Sequence, residues 1–469
     1  MVKLKKMKKK LPVPPFWLTL LGPAFVWAAT AQGSGELIWW PYLVARYGKA
    51  FLFLLLPAAL IQFFVNKEVA KYTLITGKGI WKGFLSLSQW YTLPLFFLCF
   101  VNFLWLGGYA SAGGSSIYEI VKAPGDVKLG SLFWAYILIA VFSFGLIFSK
   151  TVYNFIEKIM KGITVITIFG LLVSVFLIVK IPDLINFANG LFSPLNLGKG
   201  VDWNSFDYSQ LITGLVFAGM GGFLNLMYSY WMKDKGVGMA QYEQKISGLT
   251  TKDIILPEAE EYIFEDDLEN QENFGKWKKY LNIDAGLAVL INALTIILTS
   301  LLAFVLLWPK RNYPQGWSIT VAQSAFFETS FGFLGRILFL IVAAAFLIDT
   351  WLSLSDGVAR QFADFTYNVS QKARKKPLKH WYYFWLFFII GSTVLTMPLA
   401  QPFFFFKMVG VISVFAFVFY LPGLWYLNYY KLPKIYPKFI KGTRGEEVAL
   451  IATWLIYTFL AVWYLVKIL

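Results

Sequence analysis

The chain has 469 residues, of which 58% are hydrophobic, 19% aromatic and 14% charged, against about 45–50% apolar and about 25% charged in an ordinary soluble domain. A mean hydropathy of +0.60, with about half the chain in apolar runs of membrane-spanning length, excludes a soluble enzyme, a nucleic-acid module and a disordered protein. The formal charge of +16 is then an orientation signal, and the lone Cys99 and His380 exclude a disulfide framework, a haem and a zinc centre.

Residues 1–15 form a basic leader, expected on the cytoplasmic side. Eleven helical spans are predicted after it, at 16–45 (interrupted), 50–73, 86–112, 131–149, 159–181, 210–232, 285–308, 333–357, 381–398, 402–428 and 446–467. They divide into a first repeat (16–181, spans 1–5), an outer loop (182–209), a second repeat (210–428, spans 6–10) and a final span with the C-terminus (429–469). The fold class expected is an all-α polytopic membrane protein with its N-terminus inside. The outer loop reads as an exposed turn region. The cytoplasmic loop 233–284, with acidic residues from Glu258 to Glu272 bracketed by lysines, reads as a solvated linker. The run Phe403–Phe406 reads as lipid-facing or packing surface.

With the N-terminus inside, the cytoplasmic segments hold 31 of the 42 Lys and Arg residues and the outer loops hold 8. That is the positive-inside pattern. The partners expected are a lipid bilayer, including anionic headgroups, and a small solute or metal ion, with no nucleic acid and no cofactor. A multi-pass protein of the cell membrane is expected. No phosphate-binding G-x-x-x-x-G-K-[ST] sequence occurs, which argues against an ATP-driven pump.

Two spans carry glycines at membrane depth, in Gln32-Gly33-Ser34-Gly35-Glu36 and in Gly219-Met220-Gly221-Gly222. Glycine costs about 1 kcal/mol per helix position relative to alanine, so such clusters need a reason: close helix packing, or unwinding around a cavity. Their matching places in two five-span halves point to a transporter site. Unwinding would free the N–H groups of Ser34, Gly35 and Glu36 for an anion and the carbonyls near Ala29 to Gln32 for a cation. The candidate substrate-binding residues are Gly33, Ser34, Gly35, Glu36, Gly219, Met220 and Asn225. Glu36, Asp349 and Asp356 are the candidates for ion coupling, being carboxylates at membrane depth. Glu36 could instead pair with Lys407 or Arg336. A metal would use Glu36 and Met220, whereas an organic solute would need a roomier pocket lined by Trp27, Phe217 or Phe223. The expectation is a secondary transporter, with no enzymatic activity.

Leu21-Gly22-Pro23-Ala24-Phe25, the stretch Glu68-Val69-Ala70-Lys71 through Thr76-Gly77-Lys78, and Asn225-Leu226 together resemble the NRAMP family of divalent-metal transporters. The resemblance implies a leucine-transporter-type five-plus-five inverted repeat, discontinuous helices 1 and 6, alternating access, and a divalent metal ion moved with protons. The departures fall on the chemistry. The family's D-P-G-N is Gly33-Ser34-Gly35-Glu36 here. Its M-P-H is absent: aligned on Asn225, the Met position is Gly222 and the His position is Leu224, whereas aligned on Met220 the thioether is kept and Asn225 shifts by two. The glycine-rich break is also similar to that of amino-acid/polyamine/organocation transporters, where backbone amides hold a substrate carboxylate. The alternative cargo is therefore an amino-acid-like organic solute.

Overall fold

Backbone in hydrocarbon has no water to bond, so apolar segments fold as helices that satisfy their own polar groups. The computed structural model describes residues 6–16, 21–148, 152–243, 261–313 and 319–469, with 245, 246, 249, 316 and 317. Among these residues, nine helical stretches are long and apolar enough to cross a membrane: Leu52–Thr76, Gln89–Val121, Val127–Phe148, Met160–Ile178, Leu268–Leu306, Ala322–Val369, Leu378–Leu399, Pro402–Lys434 and Arg444–Ile468. The first and sixth expected spans are not among them: the sixth is interrupted, and the first, helical over 22–47, carries the polar Gln32-Gly33-Ser34-Gly35-Glu36 stretch in its middle.

The first consists of α1 (Gly22–Ala31), a π-helical segment (Gln32–Trp39) and α2 (Trp40–Tyr47). Helix α1 opens on Pro23, whose missing N–H costs nothing in a first turn. Then come α3 (Leu55–Thr76), the short α4 (Ile80–Leu87), α5 (Gln89–Asn102) and α6 (Gly107–Val121). Helix α3 ends on Gly77 at φ +69°, a left-handed cap that favours glycine. Helices α7 (Val127–Phe148) and α8 (Val152–Ile178) complete the first half.

The expected outer loop is largely a helix, α9 (Ile181–Phe192), started by Pro182 and Asp183 in its first turn. Ile181 and Ile185 are 74% and 65% exposed on it, a surface suited to the membrane interface. The sixth span is α10 (Tyr208–Val216), an irregular turn at 217–221, a 3₁₀ segment (Gly222–Met227) and α11 (Tyr228–Lys235).

The linker expected at 233–284 is replaced over its second half by regular structure. Helix α12 (Leu268–Leu306) has 39 residues, a length of about 58 Å. That is nearly twice the ~30 Å hydrocarbon core, so its first turns project beyond the bilayer. Strand β1 (Lys6–Lys8) of the leader pairs in parallel with β2 (Glu261–Ile263). The Leu11 N–H donates to Asn270 Oδ1 at 2.8 Å, Asn273 donates to the Leu11 carbonyl at 3.0 Å, and Trp277 donates to the Pro12 carbonyl at 2.7 Å. Lys8 and Lys10 pair with Glu265 and Glu269. Exposed pairs of opposite charge thus flank a docking made by buried hydrogen bonds. Residues 250–260, where the acidic run begins, lie outside the described residues.

The last helices are α13 (Ala325–Val369), bent at Gly332 (φ 62°), α14 (Leu378–Thr396), α15 (Pro402–Tyr426) and α16 (Arg444–Ile468). The start of α16 lies on the same side of the bundle as the leader, where Glu446 meets Lys67 at 2.5 Å and Lys278 at 3.1 Å. Its end lies on the opposite side, where Lys467 stands over the Tyr208 ring.

Candidate functional site

The break between α10 and α11 follows from its glycines. Gly222 sits at φ +69°, and a Cβ there would lie 2.5 Å from the Ser413 Cβ, so no side chain fits. Carbonyls released by the break are met by side-chain amides of other helices: Asn292 donates to Ala218 at 2.7 Å and Gln361 to Phe223 at 3.2 Å. On the first span, Thr350 donates to the Thr30 carbonyl at 3.2 Å and Gln323 to the Leu37 carbonyl at 2.9 Å. Irregular backbone at this depth is tolerated when it is buried and partnered in this way.

The two interruptions differ in kind. The sixth span departs from helical form. The first span stays helical, widening to the π form over Gln32–Trp39. A π-helix bonds each N–H to the fifth residue back, as the Trp40 N–H does to the Gly35 carbonyl. The first span is therefore widened rather than unwound at Ser34, Gly35 and Glu36. The side chain of Ser34 lies outside the described residues.

The glycines bring the two spans into backbone contact. A Cβ on Gly35 would lie 1.6 Å from the Phe217 carbonyl oxygen, and one on Gly33 would lie 2.1 Å from Thr350 Oγ1. Gly219 faces Gln62 and the Trp27 ring, at 2.7 and 2.9 Å from its would-be Cβ. Beside them, the Asn225 amide donates to Gln62 Oε1 and Asn66 Oδ1, both at 2.8 Å. Among the described residues Asn225 Oδ1 has no partner.

Glu36 is fully buried, and among the described residues neither of its carboxyl oxygens has a hydrogen-bond partner. The pairing with Lys407 or Arg336 does not occur: Lys407 is at Asp207 (3.2 Å), and Arg336 is at Glu119 (2.7 Å). Asp349 is likewise buried and unpartnered among the described residues. Asp356 is partnered instead: it accepts from Arg360 and from the Tyr382 hydroxyl, each at 2.7 Å. Met220 is buried at the break but does not line the space that Glu36 faces. No three His, Cys, Asp or Glu side chains gather into a metal-holding group among the described residues. Of the aromatic residues expected around an organic cargo, Trp27 packs on Gly219, while Phe223 packs on Trp81 and Tyr420.

The region is closed at both ends. On the leader side, Arg360 of α13 is held between Asp356 of its own helix and Asp234 of α11, all three buried. On the opposite side, Phe403 packs on Trp39 (ring centroids 4.6 Å apart) and Tyr42 (4.9 Å), and Tyr42 on Tyr313 (5.5 Å). Phe403 thus closes a helix contact, and Phe405 and Phe406 are buried beside it. Beyond this plug lies an open cleft of about 630 Å³ lined by Arg46, Lys49, Lys199 and Arg311 against the single acid Asp202.

Sequence reasoning missed Gln62, Asn66, Asn292 and Gln361, the amides that serve the break. A signal existed for some of them. Gln62 and Asn66 are four apart in an apolar span, and Asn292, Thr295 and Thr299 follow helical spacing on another.

No family model matches the sequence, and no curated protein does either. The chain does resemble solved structures of a manganese transporter from Eremococcus coleocola. Against that protein in complex with an aromatic bis-isothiourea substituted compound, the TM-score is 0.64 at 14% identity, over 98% of this chain and 89% of the other. Against a single-site mutant of it, the TM-score is 0.63 at 13% identity, over the same shares. The all-α polytopic fold of this chain is the fold of that transporter.

Proposed function

We propose that this chain is a secondary transporter of the cell membrane that works by alternating access about its first and sixth spans, with the leader side facing the cytoplasm. The observation that carries this reading is the backbone contact between Gly35 and the Phe217 carbonyl, with an ion-paired closure at Arg360 toward the leader side and an aromatic closure at Phe403 toward the other. Two separate closures on either side of one buried centre are what alternating access requires. A channel needs one continuous path instead.

The cargo favoured by the residues is a small organic solute bearing a carboxylate. The outer cleft has four basic residues and one acid, a field that concentrates anions and repels divalent cations. Asn225 Oδ1 offers a neutral acceptor at the break, which suits an ammonium or N–H group of such a solute and not its carboxylate. The second reading is a metal ion moved with protons, as in an NRAMP relative. It is supported by the fold shared with a manganese transporter and by the carboxyl group of Glu36. Purified chain in proteoliposomes, offered radiolabelled L-leucine, L-glutamate, succinate and Mn²⁺ in turn, separates them. Saturable uptake of a carboxylate supports the first reading. Uptake of Mn²⁺ alone supports the second, and uptake of none contradicts both.

A further inference from the structure

We infer that Glu36 anchors a binding site for one small monovalent cation of the sodium or lithium class, formed between the π-helical segment, α8 and α12. Glu36 borders a small space of about 10 Å³, room for about one water-sized particle. Two further oxygen atoms belong to residues bordering the same space and lack partners among the described residues: Gln32 Oε1 and Thr167 Oγ1, both on buried residues. Thr295 and Thr299 border it as well. Their hydroxyl protons are committed to the carbonyls of Ile291 and Thr295, at 2.9 and 3.0 Å, which leaves oxygen lone pairs for another donor or a cation. Gln32 has its amide nitrogen on Thr295 at 3.0 Å, so its orientation is fixed with the oxygen left over.

Every polar atom in this set is a hard oxygen, the ligand type for alkali and alkaline-earth ions. Charge then selects among them. Glu36 supplies one negative charge, and the walls are apolar, including Phe339 and Phe346. A monovalent ion leaves the site neutral. A divalent ion would leave a net charge buried at membrane depth, which is costly. A proton on Glu36 would also cancel the charge, but it would serve one oxygen and leave Gln32 Oε1 and Thr167 Oγ1 as they are. A cation bound in the same space would be shared among oxygens that one proton cannot serve together.

The ligands lie on three elements, so the ion holds α8 and α12 against the widened turn of the first span. Under the transporter reading it would be the coupling ion, loaded when these helices are together and released when they part. Binding itself does not depend on that reading.

The test is thermal unfolding of the purified full-length chain in detergent, in NaCl, LiCl or choline chloride at equal ionic strength. The melting temperature should rise by a few degrees with Na⁺ or Li⁺, saturably, as for any ligand that binds only the folded state. Glu36→Gln should abolish the response, and Thr167→Val, which swaps a hydroxyl for a methyl of the same size, should raise the half-saturating concentration at least tenfold. If Glu36→Gln does not fold, Thr167→Val decides alone. Equal melting in all three salts overturns the site. So does a response to pH alone that Glu36→Gln removes, which marks a proton site. Cation-dependent melting without uptake of any solute keeps the site and refutes only the carrier.

Discussion

Gly35 of the first span and Phe217 of the sixth touch backbone to backbone, so closely that a Cβ on Gly35 would fall 1.6 Å from the Phe217 carbonyl oxygen. Backbone cannot rotate aside as a side chain can. Gly35→Ala should therefore force the two spans apart, at a cost above the ~1–3 kcal/mol of ordinary overpacking, and abolish uptake. Gly33 faces the Thr350 hydroxyl and Cβ, at 2.1 and 2.8 Å from its would-be Cβ, part of a side chain that can turn. Gly33→Ala should be milder. Melting temperatures of the two variants in one detergent check the order.

The ion group on the leader side answers to a different rule. Arg360 has 1% of its side chain exposed, and its partners Asp234 and Asp356 have 4% and none. Removing one member of a buried pair strands the remaining charge, at about 3–5 kcal/mol. Arg360→Ala should reach that range in chemical denaturation, whereas Asp234→Asn, which leaves Arg360 its Asp356 contact, should cost less.

Docking of the leader separates hydrogen bonds from exposed charge. The Leu11 N–H is satisfied by buried Asn270, and a buried donor left without a partner costs about 1–3 kcal/mol. The Lys8–Glu265 pair has side chains 72% and 59% exposed, a setting in which pairs contribute about 0–1 kcal/mol. Asn270→Ala should speed proteolytic removal of the leader severalfold, and Lys8→Ala should leave it unchanged.

Lys82, on α4 outside the spans, predicts a pH effect. Burial and the neighbouring Lys78 push its ammonium down to about 8, against the opposing pull of Glu261. Between that value and 10.5 the unfolded chain keeps a proton that the folded chain has lost, so this group makes stability rise with pH across that window. Below about 8 both states hold the proton, and the contribution is flat. The slope of melting temperature between about pH 8 and 10 should be shallower in Lys82→Met than in the parent chain.

Much of the fold was legible because hydrocarbon imposes a simple code. Apolar length marked the spans, and glycine at depth marked the two that are interrupted. The code fails outside the bilayer. The leader read as a basic cytoplasmic segment and loop 233–284 as a solvated linker, yet Asn270, Asn273 and Trp277 dock the one on the other. It fails too in the form of the first break, since Gly33 and Gly35 permit a widened turn as readily as an unwound one. Glu36 stood out as a carboxylate in an apolar span. Its neighbours Thr167, Thr295 and Thr299 did not, because a threonine in a helix is ordinarily spent on the carbonyl one turn back.

Access to the buried centre tests the account most directly. In a chain with Cys99→Ala, a cysteine at Met220, itself 1% exposed, reports which side reaches the break. In sealed proteoliposomes it should resist a membrane-impermeant thiol reagent from both sides while both closures are intact. Asp234→Asn should open it to reagent from the leader side alone, and Phe403→Ala from the opposite side alone. Labelling from both sides in either single variant would reveal a continuous pore, and labelling from neither would deny that Arg360 and Phe403 guard the centre.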